Sequence, residues 1–131
     1  MNFSWETLLL VAQGCDRDAT NESGAALREA LYRCAISRAY YAAFGSALRW
    51  IRRTSPHHSI PSGGEAHQVV QDFFEWSQDS DYQEIADLLR RMRHFRNLAD
   101  YEIAFQNAKA ESDYAIRRAN RVLNALSGLE T

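Results

Sequence analysis

Residues 33–44 read Arg33-Cys34-Ala35-Ile36-Ser37-Arg38-Ala39-Tyr40-Tyr41-Ala42-Ala43-Phe44, and the periodicity around them decides the fold class. Working outward, Leu27, Leu31, Cys34, Arg38, Tyr41, Gly45 and Leu48 recur at three- and four-residue steps, while Ile36, Tyr40, Phe44, Ala47 and Ile51 make a second stripe. A helix apolar on two sides predicts a central element, from about Ala25 to Arg53, packed by most of the others. Gly45 costs helix stability relative to alanine, so a close approach of another helix is expected there.

The flanking segments follow the same period. Trp5, Leu8, Leu9 and Ala12 form one face of a short first helix, and the polar run Asp16 to Ser23 separates it from the next. Thr54 to Gly64, with Pro56, Pro61, Gly63 and Gly64, reads as a loop. Ser62-Gly63-Gly64-Glu65 has capping-box spacing ahead of Ala66, Val69, Val70 and Phe73, and Ser80-Asp81-Tyr82-Gln83 repeats it ahead of Tyr82, Ile85, Leu89, Met92, Arg96 and Ala99. A last helix near Ala108 to Leu126 carries Ala115, Ala119, Val122 and Leu126 on one side. With no strand pattern and no internal repeat, the chain predicts an all-α, antiparallel bundle of four to five helices, a single domain over residues 1–131.

Composition narrows the function classes. A formal net charge of -2 gives no global sign of a nucleic-acid binder, so local clustering must carry such a reading. Lys109 is the only lysine, and genomic composition accounts for the arginine bias as readily as phosphate recognition does. Cys15 and Cys34 lie on different elements and form no Cys-x-x-Cys pair, so no structural zinc is expected and both thiols are expected reduced. The Leu8-Leu9-Leu10-Val11-Ala12 run is short and follows Glu6 with no basic leader, and no segment approaches the ~20 apolar residues of a membrane span. A cytoplasmic protein away from membranes is the expectation.

The second informative stretch is Arg96-Asn97-Leu98-Ala99-Asp100-Tyr101, which puts an arginine and a carboxylate one helical turn apart. Together with Arg33 and the Ser37-Arg38-Ala39-Tyr40-Tyr41-Ala42-x-Phe44 helix, it resembles the HEPN superfamily of small helical bundles, over about Ala25 to Ala125, with His67 in between. That resemblance implies a HEPN-like bundle, a homodimer, RNA or nucleotide binding in a toxin-antitoxin or defence setting, and a partner such as a minimal nucleotidyltransferase or an antitoxin. It implies no cofactor and no metal. Ribonuclease members carry a histidine after four to six residues beyond the arginine, and here those slots hold Tyr101, Glu102 and Ile103. A ribonuclease-like chain without that imidazole is expected to be weak or inactive.

Arg96, Asp100 and Tyr101 are therefore the catalytic candidates, with His67 as a substitute imidazole, and Arg38, Tyr41, Arg93 and Asn97 are the binding candidates. Guanidinium grips phosphate or carboxylate with paired hydrogen bonds. Imidazole is the apt acid or base near neutrality, whereas a free phenol titrates near 10, so Tyr101 reads as a hydrogen-bonding or stacking residue. On the plainer reading Arg38 is buried and bridges to Asp100, which would weaken Asp100 as a base, and His67 is a capping or core-edge histidine. His94 lies two residues before Arg96 and projects elsewhere, so only a dimer would bring it to a cleft. Arg53-Thr54-Ser55-Pro56-His57-His58 matches the nuclease spacing but falls at a helix end and loop, a coincidence. The runs Arg90, Arg91, Arg93, His94, Arg96 and Arg49, Arg52, Arg53 read as solvated faces with one or two members turned inward. Trp50 and Trp76 at helix ends are expected to close a core or interface, or to stack on bases.

Overall fold

The computed structural model describes residues 3–129. Five helices follow one another: α1 (Thr7–Asn21), α2 (Ala25–Thr54), α3 (Glu65–Glu75), α4 (Ser80–Tyr101) and α5 (Ala108–Leu129). No strand occurs among the described residues, so the fold is an all-α bundle. At 30 residues α2 is about 45 Å long and packs against all four other helices, as its two stripes require.

The second stripe is the deeper one. Ile36, Tyr40 and Ile51 are fully buried, joined by Val70 and Phe74 of α3, Ile85 and Met92 of α4, and Val122 of α5. Each such side chain contributes roughly 1.5–3 kcal/mol through burial. The first stripe is buried only from Gly45 onward, and Leu27 and Cys34 are exposed. On α3 it is Phe74, not Phe73, that reaches the centre of the core.

Local differences from the sequence reading have identifiable causes. The polar run does not end α1, which continues to Asn21. Ala12 and Ala19 remain on its buried face, the Asp16 carboxylate accepts from the fully buried Ser112 of α5 at 2.6 Å, and Thr20 meets the Tyr32 hydroxyl at 3.1 Å. Only Glu22 to Gly24 are left for the turn. Neither capping box forms. α3 starts from Gly64 with no side-chain cap, after Gly63 turns the chain at φ 87°. The cap of α4 is Asp79, one residue earlier than expected, whose carboxylate accepts from the Asp81 amide at 2.8 Å. At Gly45 the close neighbour is not a helix but the indole of Trp5, just ahead of α1. A Cβ there would lie 1.9 Å from that ring. Trp50 is buried against Phe73, Phe74 and Tyr82, whereas Trp76 is exposed. No described helix is long and apolar enough to cross a membrane.

Candidate functional site

One face of α2 meets one face of α4 from Arg33 to Tyr41, and its chemistry changes along the seam. At the end nearest the α1–α2 turn stands Arg33, for which the motif alone names no partner. Its Nη1 donates to the carbonyls of Ala99 at 3.2 Å and Glu102 at 2.5 Å, and its Nη2 to that of Ile103 at 2.9 Å. Glu29 lies 3.3 Å away, and the guanidinium rests 5.2 Å from the Phe105 ring centre. A helix leaves its last carbonyls without partners and carries partial negative charge there, so one cation answers both needs. Arg33 thereby fixes the end of α4 that presents Asp100 and Tyr101.

One turn on, the expected Arg38–Asp100 bridge does not form. Asp100 pairs instead with Arg96 of its own helix, Nε to Oδ2 at 3.1 Å, four residues apart and one turn away. Ser37, not Arg38, reaches Asp100 from α2, at 3.3 Å. Arg38 is half-buried, not buried, with its guanidinium 5.7 Å from the Tyr41 ring centre and a long contact of 3.5 Å to Ser37 Oγ. The i,i+4 partner wins because it needs no reach across the bundle.

Arg96 is the most engaged residue of the face. Its Nη1 donates to Asn97 Oδ1 at 2.7 Å and its Nη2 to the Tyr41 hydroxyl, and the group lies 5.1 Å from the Tyr41 ring centre and 5.9 Å from that of Tyr101. Its side chain is 14% exposed. Arg93, one turn earlier, has only a 3.4 Å contact to Gln68. Among the described residues neither Arg38 nor Arg93 has a carboxylate within ion-pair distance, whereas Arg49, Arg90, Arg91, Arg117 and Arg121 all do. Of the basic run on α4, then, Arg93 and Arg96 turn toward the bundle and Arg90 and Arg91 form surface pairs, each worth ~0–1 kcal/mol.

His67 completes the cluster from α3. Its Nδ1 meets the Tyr40 hydroxyl at 2.5 Å, and its ring stacks on Phe44 with centres 4.4 Å apart. Burial pushes the imidazole pKa down, and the nearby charges of Arg93 and Arg96 add to that, so the ring is neutral at neutral pH. Tyr40 is pushed up by burial and keeps its proton, so it takes no part as an acid or base. Arg96, Arg93, Tyr41, Asn97, Asp100 and His67 are therefore brought together, with Arg38 at the edge of Tyr41. Tyr101 is 73% exposed beside them. His94 is exposed and packs only edge-on to Phe95.

The face has the means to bind an anion. Arg38 and Arg96 both lie over the Tyr41 ring, Arg93 stands one turn from Arg96, and the neutral imidazole of His67 sits at the α3 end. No family model, curated protein or solved structure matches the chain.

Proposed function

We propose that the chain is a HEPN-like module that binds RNA or a nucleotide through its phosphates, in a toxin-antitoxin or defence setting, with little or no catalysis of its own. One observation carries the reading: among the described residues the half-buried Arg38 and Arg93 have no carboxylate within ion-pair distance, Arg38 lying over the Tyr41 ring that Arg96 also covers and Arg93 one turn from Arg96. A bound phosphate would neutralise that pair of charges. The exposed Tyr101 ring offers a stacking surface for a base at the same edge. Tyr101 and the almost fully exposed Ile103 also favour a twofold homodimer that sets two such faces near each other, with a minimal nucleotidyltransferase or antitoxin as the further partner. Scattering at micromolar concentration checks the dimer; a strictly monomeric species contradicts it.

The second reading is a metal-independent endoribonuclease, favoured by the position of His67 beside Arg93 and Arg96. The imidazole is neutral, so it is in the state to take a proton from a 2′-hydroxyl, with the arginines stabilising the developing charge. Asp100 suits that task less, held by Arg96 and Ser37. Incubation with total RNA in chelator separates the readings. Binding without cleavage is the expected result, whereas robust cleavage lost ~100- to 10,000-fold in His67→Ala establishes the nuclease.

A further inference from the structure

Beside the arginine face, the seam between α1 and α2 holds a feature that binding does not use. Cys15 and Cys34, 19 residues apart in sequence, lie with their Sγ atoms 3.6 Å apart, the Cys15 thiol donating to Cys34. The two helices run antiparallel and close together there, since Ala12 and Ala19 flank Cys15 on the buried face of α1, and Ala35 follows Cys34 on α2, all with no exposed surface. Cys34 is exposed and Cys15 is half-buried. Arg38 stands one turn beyond Cys34 on α2, and its charge acts on Cys15.

We infer that Cys15 and Cys34 are a modification site: a thiol pair that a hydroperoxide closes into a reversible disulfide, cross-linking α1 to α2 one helical turn before Arg38. A disulfide needs its sulfurs at ~2.05 Å, so each side chain has to turn by less than an ångström toward the other. The exposed Cys34 reacts first. Its thiolate attacks one oxygen of the hydroperoxide, the O–O bond breaks, an alcohol or water leaves with the proton, and Cys34 becomes a sulfenic acid. Cys15 sulfur then attacks Cys34 sulfur, the S–O bond breaks, and the hydroxyl leaves as water with the Cys15 proton. Two thiols are oxidised and one peroxide bond is reduced. The roles follow exposure, and burial together with the Cys34 thiol raises the Cys15 pKa to about 11, which leaves Cys15 as the resolving partner.

The test is treatment of the full chain with hydrogen peroxide, followed by alkylation of free thiols and tryptic mass mapping. Cleavage at Arg17, Arg33 and Arg38 places the cysteines in peptides 1–17 and 34–38. The expected product joins these two peptides within one chain, loses two hydrogens, and reverts with dithiothreitol. Closing a loop of this length should raise the melting midpoint by roughly 5–10 °C. Cys15→Ser should stop at a Cys34 sulfenic acid that dimedone traps, and Cys34→Ser should leave Cys15 unmodified. Denaturing the wild type in urea before peroxide should slow the intrachain link, because proximity is then lost. The inference is overturned if the folded protein gives Cys34 sulfinic acid with Cys15 still alkylated, if the only link is between two chains, or if urea leaves the rate unchanged.

Discussion

Arg33 and Arg38 stand five residues apart on α2 and serve opposite ends. Arg33 spends its donors on three carbonyls at the end of α4 and its charge on Glu29, and its side chain is 17% exposed. Arg38 has a tyrosine ring and a long contact to a serine. Residue type and helix are the same, and what separates Arg33 from Arg38, the one proposed to bind, is the inventory of partners. Arg96 lies between these cases, since it is held by Tyr41, Asn97 and Asp100 yet borders the open face.

The largest effect should therefore come from Arg33. Arg33→Met keeps the aliphatic stem but leaves the Ala99, Glu102 and Ile103 carbonyls without their donor, at a cost of about 2–4 kcal/mol. Arg38→Met should change stability by no more than about 0.5 kcal/mol. Urea unfolding reads both as shifts in midpoint at constant slope. Equal losses would erase the distinction.

Arg96→Ala should act on both properties. It strips Asp100 of its ion partner, a part of the loss that solvent limits to about 1 kcal/mol because that carboxylate is 28% exposed, and it also removes the donors to Tyr41 and Asn97. It should also weaken phosphate binding. Asp100→Asn is expected to cost less stability than Arg33→Met and to leave binding intact or tighter, because it frees Arg96. A variant that abolishes binding would instead assign Asp100 a direct role.

The smallest effect is the titration of His67. Its pKa is lowered in the folded state, so the unfolded chain takes up the proton first as pH falls. Stability from this group is complete above the unfolded value near 6.5 and declines as pH drops through the folded value. His67→Phe, which preserves the stack on Phe44, should flatten the part of that decline that sets in as pH falls below about 6.5. A bound phosphate should act the other way and raise the imidazole pKa, tightening binding in acid. A wild-type and variant profile of the same shape would show that His67 does not titrate with folding.

The bundle was legible because apolar periodicity reports burial, and α2 and α4 carry it over many turns. The arginine face was legible as a set of residues but not as a set of bonds. The Arg96–Asp100 spacing of four already signalled their pairing, and the stripe argument wrongly preferred Arg38 across the bundle. Arg33 was missed because its partners are main-chain carbonyls, which no residue letter announces. The cysteine pair was missed because Cys-x-x-Cys spacing detects only local proximity. A tight turn at residues 22–24 is what folds Cys15 onto Cys34.

The most direct test of the arginine face is an equilibrium titration of a single-stranded RNA oligonucleotide and of a nucleoside triphosphate, in chelator at two salt concentrations, with wild type and with Arg38→Ala/Arg93→Ala. The expected result is salt-sensitive binding by the wild type, weakened in the double variant with its log–log salt slope smaller in magnitude by about one to two, and an unchanged melting midpoint. Wild type that binds neither probe, or a double variant with the same affinity and slope, would contradict it.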